Sequence, residues 1–132
     1  MQFVALLRGI NVGGKNKIQM AKLKSLFENL GFQDVKTYIN SGNVIFNSSK
    51  KDQIKFCMQI EEAIQKEFGF PVPTIIKSTT QLQSIAKAIP QNWQNNSEVK
   101  CDVLFLWDEV DSPKTLKLLN LIIFRNSRRQ KV

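Results

Sequence analysis

Histidine is absent from this 132-residue chain, and only two cysteines occur in it. Without histidine, Ser-His-Asp and Cys-His catalysis are excluded, and a typical zinc site loses its commonest nitrogen ligand. Cys57 and Cys101 fall in a predicted helix and a predicted strand and lack the spacing of a metal-binding pair. We therefore expect both to be reduced interior residues, and we predict neither a metal nor a cofactor.

Long apolar runs are also absent. No segment reaches the length of a transmembrane helix and no signal peptide is visible, so the sequence predicts a cytoplasmic protein without a membrane partner. With 42% hydrophobic residues, the chain can bury a modest core.

The start of the chain carries no acidic side chain, since Glu28 is the first Asp or Glu. Arginine is scarce as well: Arg8 is the only one before Arg125. Half of the net charge of +8 lies in a basic tail, residues 121–132. The net charge of the rest of the chain is not unusual for a protein of this size. Charge alone therefore does not indicate nucleic-acid binding.

The first loop is the strongest functional signal. The apolar strand Met1–Leu7 leads into a loop in which Gly9, Gly13 and Gly14 permit positive φ and close approach of a ligand. A diglycine bend can form an anion nest, and a following helix favours negative charge at its N-terminus. Arg8 adds a planar fork suited to phosphate. These features predict an anion-binding loop from Arg8 to Lys17.

Hydrophobic periodicity predicts an α+β fold in the order βαββαβ and then αβα. The first six elements match the ferredoxin-like arrangement, an antiparallel sheet with helices on one face. We predict a ferredoxin-like subdomain at 1–78 and a partial second subdomain at 79–120 packed on it. The expected segments after the first loop are a helix from Met20 to Leu30, a hairpin turning at Asn40–Asn43, a helix at Lys51–Phe68, an edge strand around Ile75-Ile76, a helix capped by Thr79, a strand at Lys100–Trp107 and a helix from Pro113.

Three details of these segments can be checked against the structure. The first helix has apolar residues at helical spacing: Met20, Leu23, Leu26, Phe27 and Leu30. In the hairpin we expect Ile39 opposite Val44 and Thr37 opposite Phe46. Ser48 and Ser49 can cap the second helix, whose candidate buried residues are Ile54, Cys57, Ile60, Ile64 and Phe68.

This topology places three connections at one end of the sheet: the first loop, the Asn40–Asn43 turn and the Gly69–Pro73 segment. We interpret that end as the binding site of a small anionic, phosphate-bearing ligand. The candidate ligand-binding residues are Arg8, Gly9, Asn11, Gly13, Gly14, Lys15, Lys17, Asn40, Ser41 and Asn43.

Four alternatives stay open. Gly9–Asn16 approaches a P-loop, but Asn16 replaces the hydroxyl residue and helical spacing starts only near Met20. RNA binding on the open sheet face would need stacked aromatic residues, and Tyr38 is the one aromatic that we expect there. An enzyme would have to use its few acids or Lys15; the candidate acids are Asp34, Asp108, Glu109 and Asp111. Finally, the glycines can serve a tight turn alone, with the lysines merely solvated.

Four stretches carry a resemblance to a known family. Phe3–Asn16, Thr37–Phe46, Phe68–Pro73 and Asp102–Leu106 resemble the signatures of the bacterial family called domain of unknown function (DUF) 1697. The resemblance covers residues 3–119. It implies two ferredoxin-like subdomains in one chain and no established activity. The two glycine-containing signatures coincide with the end of the sheet that the topology selects.

After Asn120 the sequence departs from the family pattern, as Leu121–Phe124 leads into a basic segment. We expect a truncation or a change of reading frame, which would leave the second subdomain incomplete. The predicted strand Lys100–Trp107 would then expose an apolar edge, so we also predict self-association or reduced stability.

Overall fold

Two helices cover one face of a four-stranded antiparallel sheet. The computed structural model describes residues 1–39, 42–98 and 100–118. The sheet has the strand order β2-β3-β1-β4. Along the chain the elements are β1 (Gln2–Leu7), α1 (Met20–Asn29), β2 (Gln33–Tyr38), β3 (Asn43–Asn47), α2 (Gln53–Phe68), β4 (Thr74–Ser78), α3 (Thr79–Ala88), a 3-10 turn (Asp108–Val110) and α4 (Pro113–Leu118). The protein is thus an α+β protein, as predicted.

An aromatic core explains why both helices lie on the same face. Phe3 of β1 and Phe46 of β3 are paired across the sheet, so their rings share one face. The ring of Phe3 meets that of Phe56 of α2 edge-on, with 5.3 Å between the ring centroids. The rings of Phe46 and Phe27 of α1 also meet edge-on, with a centroid separation of 5.6 Å. All four side chains are buried. Both helices therefore bury their apolar faces against the same side of the sheet.

Sequence reasoning placed α1 and its end correctly. Leu23, Leu26 and Phe27 are its buried residues, as the spacing predicted. The helix ends where Gly31, at φ +89°, donates its amide to Glu28 O and Phe32 donates to Phe27 O. This is the hydrogen-bond pattern of a glycine-terminated helix.

The buried face of α2 differs from the prediction. Ile54 was expected to be buried and is 77% exposed, because the buried row is Phe56, Ile60 and Ile64 at four-residue spacing. The helix is also capped by Asp52, whose Oδ1 accepts from the Lys55 amide at 3.0 Å, and not by a serine. The large Phe56 ring decides which stripe of α2 faces the sheet.

The register of the β2–β3 hairpin was predicted wrongly by two residues. Thr37 lies opposite Val44, where Ile39 was expected. Ile39 lies beyond the strand at φ +48° and is 62% exposed, so it belongs to the turn. A slip of two residues keeps the same face buried, so the hydrophobic pattern did not reveal the error.

The edge strand β4 is tied to α2 by polar side chains. Glu61 Oε1 accepts the Thr74 amide at 2.7 Å, and Cys57 Sγ donates to Thr74 O at 2.9 Å. Both backbone groups of Thr74 are therefore satisfied from α2, which shields part of a sheet edge from pairing with another strand. The two prolines before β4 fit this edge position, as predicted.

The chain divides into two compact units, and the second begins at Ile89. The helix α3 therefore belongs to the first unit, whereas the sequence grouped it with the second. Its cap is Ser78, since Ser78 Oγ accepts the Gln81 amide and Gln81 Oε1 accepts the Ser78 amide. This is a reciprocal capping box, and Thr79 is the first helical residue, not the cap.

In the second unit, the strand predicted at Lys100–Trp107 is not found. Residues 100–107 have no regular secondary structure, and no described strand pairs with them. Asn95 instead brackets Cys101, accepting from its amide and donating to its carbonyl. Apolar composition alone does not make a strand without a hydrogen-bonding neighbour. The helix predicted from Pro113 is present, and residues 119–132 lie outside the described part of the chain.

Candidate functional site

The three connections predicted to meet at one end of the sheet do meet. Where β1 ends, the Leu7 amide donates to Gly42 O of the β2–β3 turn at 2.9 Å. The next amide, that of Arg8, donates to Pro73 O in front of β4, also at 2.9 Å. The first loop therefore starts from a point fixed on both sides. Asn40 and Ser41, two predicted site residues in this turn, lie outside the described residues.

Gly42 allows the turn to approach the loop closely. It has φ +85°, and a Cβ there would lie 2.9 Å from Leu7 O and 3.0 Å from Ile10 Cγ1. Ile10 is itself buried, although it lies in the loop. Only glycine fits at this position without moving the loop.

Two asparagines hold the loop in shape. Asn11 spans it with two hydrogen bonds: Oδ1 accepts the Ile18 amide at 2.8 Å, and Nδ2 donates to Ile18 O at 3.1 Å. Asn16 Nδ2 donates to Gly9 O at 3.2 Å, and Asn16 O accepts the Asn11 amide. Asn11 and Asn16 adopt φ of +54° and +51°, a region that asparagine tolerates better than most residues. The predicted site residue Asn11 thus braces the loop.

The diglycine bend is not the anion nest that the sequence suggested. Gly13 and Gly14 have φ of +60° and +75°, and the Lys15 amide closes the turn on Val12 O at 3.1 Å. This combination is typical of a type I′ turn. The Lys15 amide is consumed by the turn, because two consecutive left-handed residues fold the chain back on itself. Within the described residues, the amides of Gly13 and Gly14 donate no hydrogen bond.

Four cations surround the loop without an acid beside them: Arg8, Lys15, Lys17 and Lys22. Arg8, Lys15 and Lys17 are exposed. In the described part of the chain, the only ion pair joins Lys24 to Glu28, at 3.8 Å on the surface of α1. Arg8 therefore does not brace the fold through an ion pair within the described ranges.

A groove of about 680 Å³ lies between the loop and the end of α2. Its walls include Gly14, Lys17, Lys22 and Phe68, and no acid lines it. The first turn of α1 opens onto the groove through Gln19 and Met20, and no side chain caps that helix. By contrast, α2 and α3 are both capped by side chains. Free amides at a helix N-terminus attract anions.

The lining of the groove overlaps the predicted set of site residues only in part. Asn11, Gly14 and Lys17 line the groove, whereas Gly9 serves the bracing of the loop. Asn43 is a half-buried residue of β3. Sequence reasoning missed Gln19, Met20 and Phe68 as groove residues. The signal for Gln19 was available, since it is a poor cap at the start of a helix.

The residues named for RNA binding and for catalysis form less extensive sites than the groove. Tyr38, 64% exposed, is the one aromatic residue of β1–β4 on the sheet face away from α1 and α2. Asp34, a candidate acid, accepts from Asn47 Nδ2 at 2.7 Å and so braces the hairpin. Among the residues described, no group of three or more His, Cys, Asp or Glu could hold a metal. No described helix is long and apolar enough to cross a bilayer.

Cys57 is a poorly reactive thiol. Burial, reinforced by the Glu61 carboxylate, raises the pKa of Cys57 to about 11. A thiol with such a pKa stays protonated at neutral pH and is a weak nucleophile. Cys57 therefore contributes to the attachment of β4 and does not suit nucleophilic catalysis.

These features define an α+β protein with an antiparallel sheet, whose polar end carries a braced, acid-free basic loop beside a groove. The chain belongs to the family described as protein of unknown function (DUF1697), whose model matches residues 1–127. This confirms the resemblance identified in the sequence.

A solved structure of a conserved bacterial protein from Streptococcus pneumoniae is similar, with a TM-score of 0.64 and 33% identity. The match covers 72% of this chain and 52% of that one, so the chain spans about half the length of this neighbour. No curated protein is significantly similar to the chain.

Proposed function

We propose that the protein binds a small phosphate-bearing anion at the loop between β1 and α1. The observation that carries the proposal is the presence of two cations, Lys17 and Lys22, without an ion-pair partner among the described residues, in a groove that no acid lines. Protein surfaces usually intersperse both signs of charge. Here Lys17 and Lys22 line one groove, and Arg8 and Lys15 belong to the same basic loop region.

The geometry favours binding of an anion in three ways. The loop is braced by Asn11 and Asn16, so little conformational entropy is lost when a ligand orders it. The uncapped first turn of α1 presents free amides to the groove. Arg8 is an exposed residue of the same loop, and its guanidinium is the group best suited to bidentate binding of phosphate.

The direct experiment is a thermal-shift screen with inorganic phosphate, nucleotides and sugar phosphates at low ionic strength. We expect Tm to rise with ligand concentration, because a ligand that binds only the folded state stabilises it. Arg8→Ala and Lys17→Ala should each reduce the shift while leaving the unliganded Tm nearly unchanged. Lys36→Ala is the control, since Lys36 is an exposed lysine of β2 away from the groove.

Two outcomes would contradict the proposal. No stabilisation by any phosphate compound would remove its basis. An equal loss of the shift in Arg8→Ala, Lys17→Ala and Lys36→Ala would indicate unspecific screening of a basic protein.

We also propose that the first unit is a ferredoxin-like subdomain and that a second subdomain follows it. The order βαββαβ and the strand order β2-β3-β1-β4 support the first assignment. The self-association and the cytoplasmic location predicted from the sequence stay predictions. Sedimentation velocity tests self-association, and a single monomer species over a wide concentration range would contradict it.

A further inference from the structure

The groove beside the loop has room for more than a phosphate group. Its volume of about 680 Å³ falls within the range of pockets that hold whole small molecules, roughly 300–1,000 Å³. A bare phosphate would occupy a small part of it. The lining residues that a phosphate group would not contact therefore indicate what else the ligand carries.

Two cations belong to that lining. Lys17 precedes α1 and Lys22 is in its first turn. Two lysines without an acid match a doubly charged anion better than a singly charged one. A phosphate monoester carries a charge of about −1.5 to −2 at neutral pH, whereas a carboxylate or a phosphodiester carries only one negative charge.

The rest of the lining is mixed: Asn11 and Gln19 are polar, and three apolar side chains, one of them a flat ring, complete it. Ile18 is only 4% exposed, and Met20 and Phe68 are half-buried against the core while still facing the groove. A phenylalanine ring and a thioether form a contact surface that suits planar groups. Gly14, on the opposite lip, has no side chain to block access.

We infer that the groove takes a phosphate monoester that carries a planar aromatic group, with the phosphate at Lys17 and Lys22 and the ring against Phe68. This inference rests on the proposed function and goes further, because it names the class of ligand. A nucleoside monophosphate and a simple aryl phosphate share this chemistry. Gln19 lies at the edge of the groove, where its amide can donate to and accept from a heteroaromatic ring.

The test compares four probes by isothermal titration calorimetry at low salt: inorganic phosphate, phenyl phosphate, adenosine 5′-monophosphate and adenosine. Phenyl phosphate and adenosine 5′-monophosphate should bind about tenfold more tightly than inorganic phosphate, the factor expected from one ring stacked on an aromatic side chain. Adenosine should bind weakly, because it cannot engage the lysines.

A matched pair of variants locates the ring. Phe68→Leu keeps an apolar side chain against the core but removes the flat surface, so it should abolish the tenfold preference and leave the affinity for inorganic phosphate unchanged. Phe70→Leu is the control, because Phe70 is also half-buried against the core but does not line the groove. It should preserve the preference.

The outcomes separate this inference from the proposed function. If inorganic phosphate and phenyl phosphate bind equally, the inference is wrong and anion binding stands. If none of the phosphate compounds binds, both are wrong. If Phe68→Leu and Phe70→Leu reduce the preference equally, the ring does not lie on Phe68, and the inference is again wrong.

Discussion

The core under the sheet and the loop at the end of the sheet are stabilised in different ways. Under the sheet, Phe3, Phe27, Phe32, Phe46 and Phe56 form a continuous cluster with centroid separations from 4.3 to 5.9 Å. At the loop end, shape depends on two asparagine side chains, a close glycine contact and a few backbone hydrogen bonds. Burial of apolar area dominates the first region, and directional polar contacts dominate the second.

The difference explains where the candidate site lies. A close-packed aromatic core has no room for a ligand and no free polar group to recognise one. The loop is exposed and leaves its cations unpaired, yet it is fixed by bonds that do not use those cations. A region held by its own asparagines can keep its charged side chains available for a ligand.

The largest effect should come from the core. Phe46 contacts four other rings, so Phe46→Ala should lower the free energy of unfolding by about 4 kcal/mol, through lost burial and the remaining cavity. Urea denaturation measures it. A loss below about 1 kcal/mol would mean that the cluster is not closely packed.

Gly42→Ala should have the next largest effect, about 3 kcal/mol, because it combines a left-handed φ with a clash against Leu7 O and Ile10. Gly69→Ala is a matched control: its φ of +83° is nearly the same, and nothing lies within 4 Å of the new Cβ. It should lose only about 1 kcal/mol. Equal losses would show that the turn does not press on the loop.

Asn11→Ala should cost about 2 kcal/mol, because it removes both side-chain bonds to Ile18 and leaves a partly buried amide without its acceptor. Asn11→Ala and Asn16→Ala both place alanine at a positive φ, so the backbone strain is similar in the two. Asn16→Ala removes only one exposed hydrogen bond, so its loss of folding free energy should be smaller. Phosphate affinity should fall more in Asn11→Ala. A reversed order in stability and affinity would mean that Asn11 does not brace the loop.

The uncapped helix permits a finer test with a gain of about 1 kcal/mol. Gln19→Ser and Gln19→Asp should both stabilise α1 by capping its first turn. Gln19→Asp should also abolish phosphate binding, because it adds a negative charge at the groove, while Gln19→Ser should weaken it less. If the aspartate variant binds phosphate as well as the wild type does, the groove is not the site.

The smallest predicted effect concerns pH. The pKa of Cys57 is raised to about 11 on folding, so the folded state keeps this proton more tightly than the unfolded state. The resulting stabilisation is complete below the unfolded pKa, near 9, and is lost as the pH rises toward 11. Urea midpoints at pH 8 and pH 10.5 should therefore differ less in Cys57→Ala than in the wild type. The same pH dependence in both proteins would contradict this.

The sequence predicted the parts of the fold that burial decides. The apolar strand before Arg8, the helix ending at Gly31 and the meeting of three connections at one end of the sheet followed from periodicity and topology. The prediction failed where the local structure depends on a single side chain or on a neighbouring segment. The turn position of Ile39, the buried row through Phe56 and the missing strand at residues 100–107 depend on tertiary partners that a pattern does not contain.

For the candidate site, residue types were more informative than the geometry inferred from them. The scarcity of acids and the presence of glycines pointed to the loop that adjoins the groove. The role of the diglycine bend was misjudged, because the dipeptide suits both a nest and a type I′ turn. Phe68 was unpredictable as a groove residue, since it is distant in sequence and its helical spacing marks it only as a core residue.

An NMR titration of the uniformly ¹⁵N-labelled protein with inorganic phosphate tests the proposal that the acid-free groove beside the loop binds phosphate. We expect saturable shifts of the Gly14 amide and of the amides from Met20 to Lys22, with little change at β2. Shifts that do not saturate at millimolar phosphate, or that spread evenly over the surface lysines, would contradict the claim.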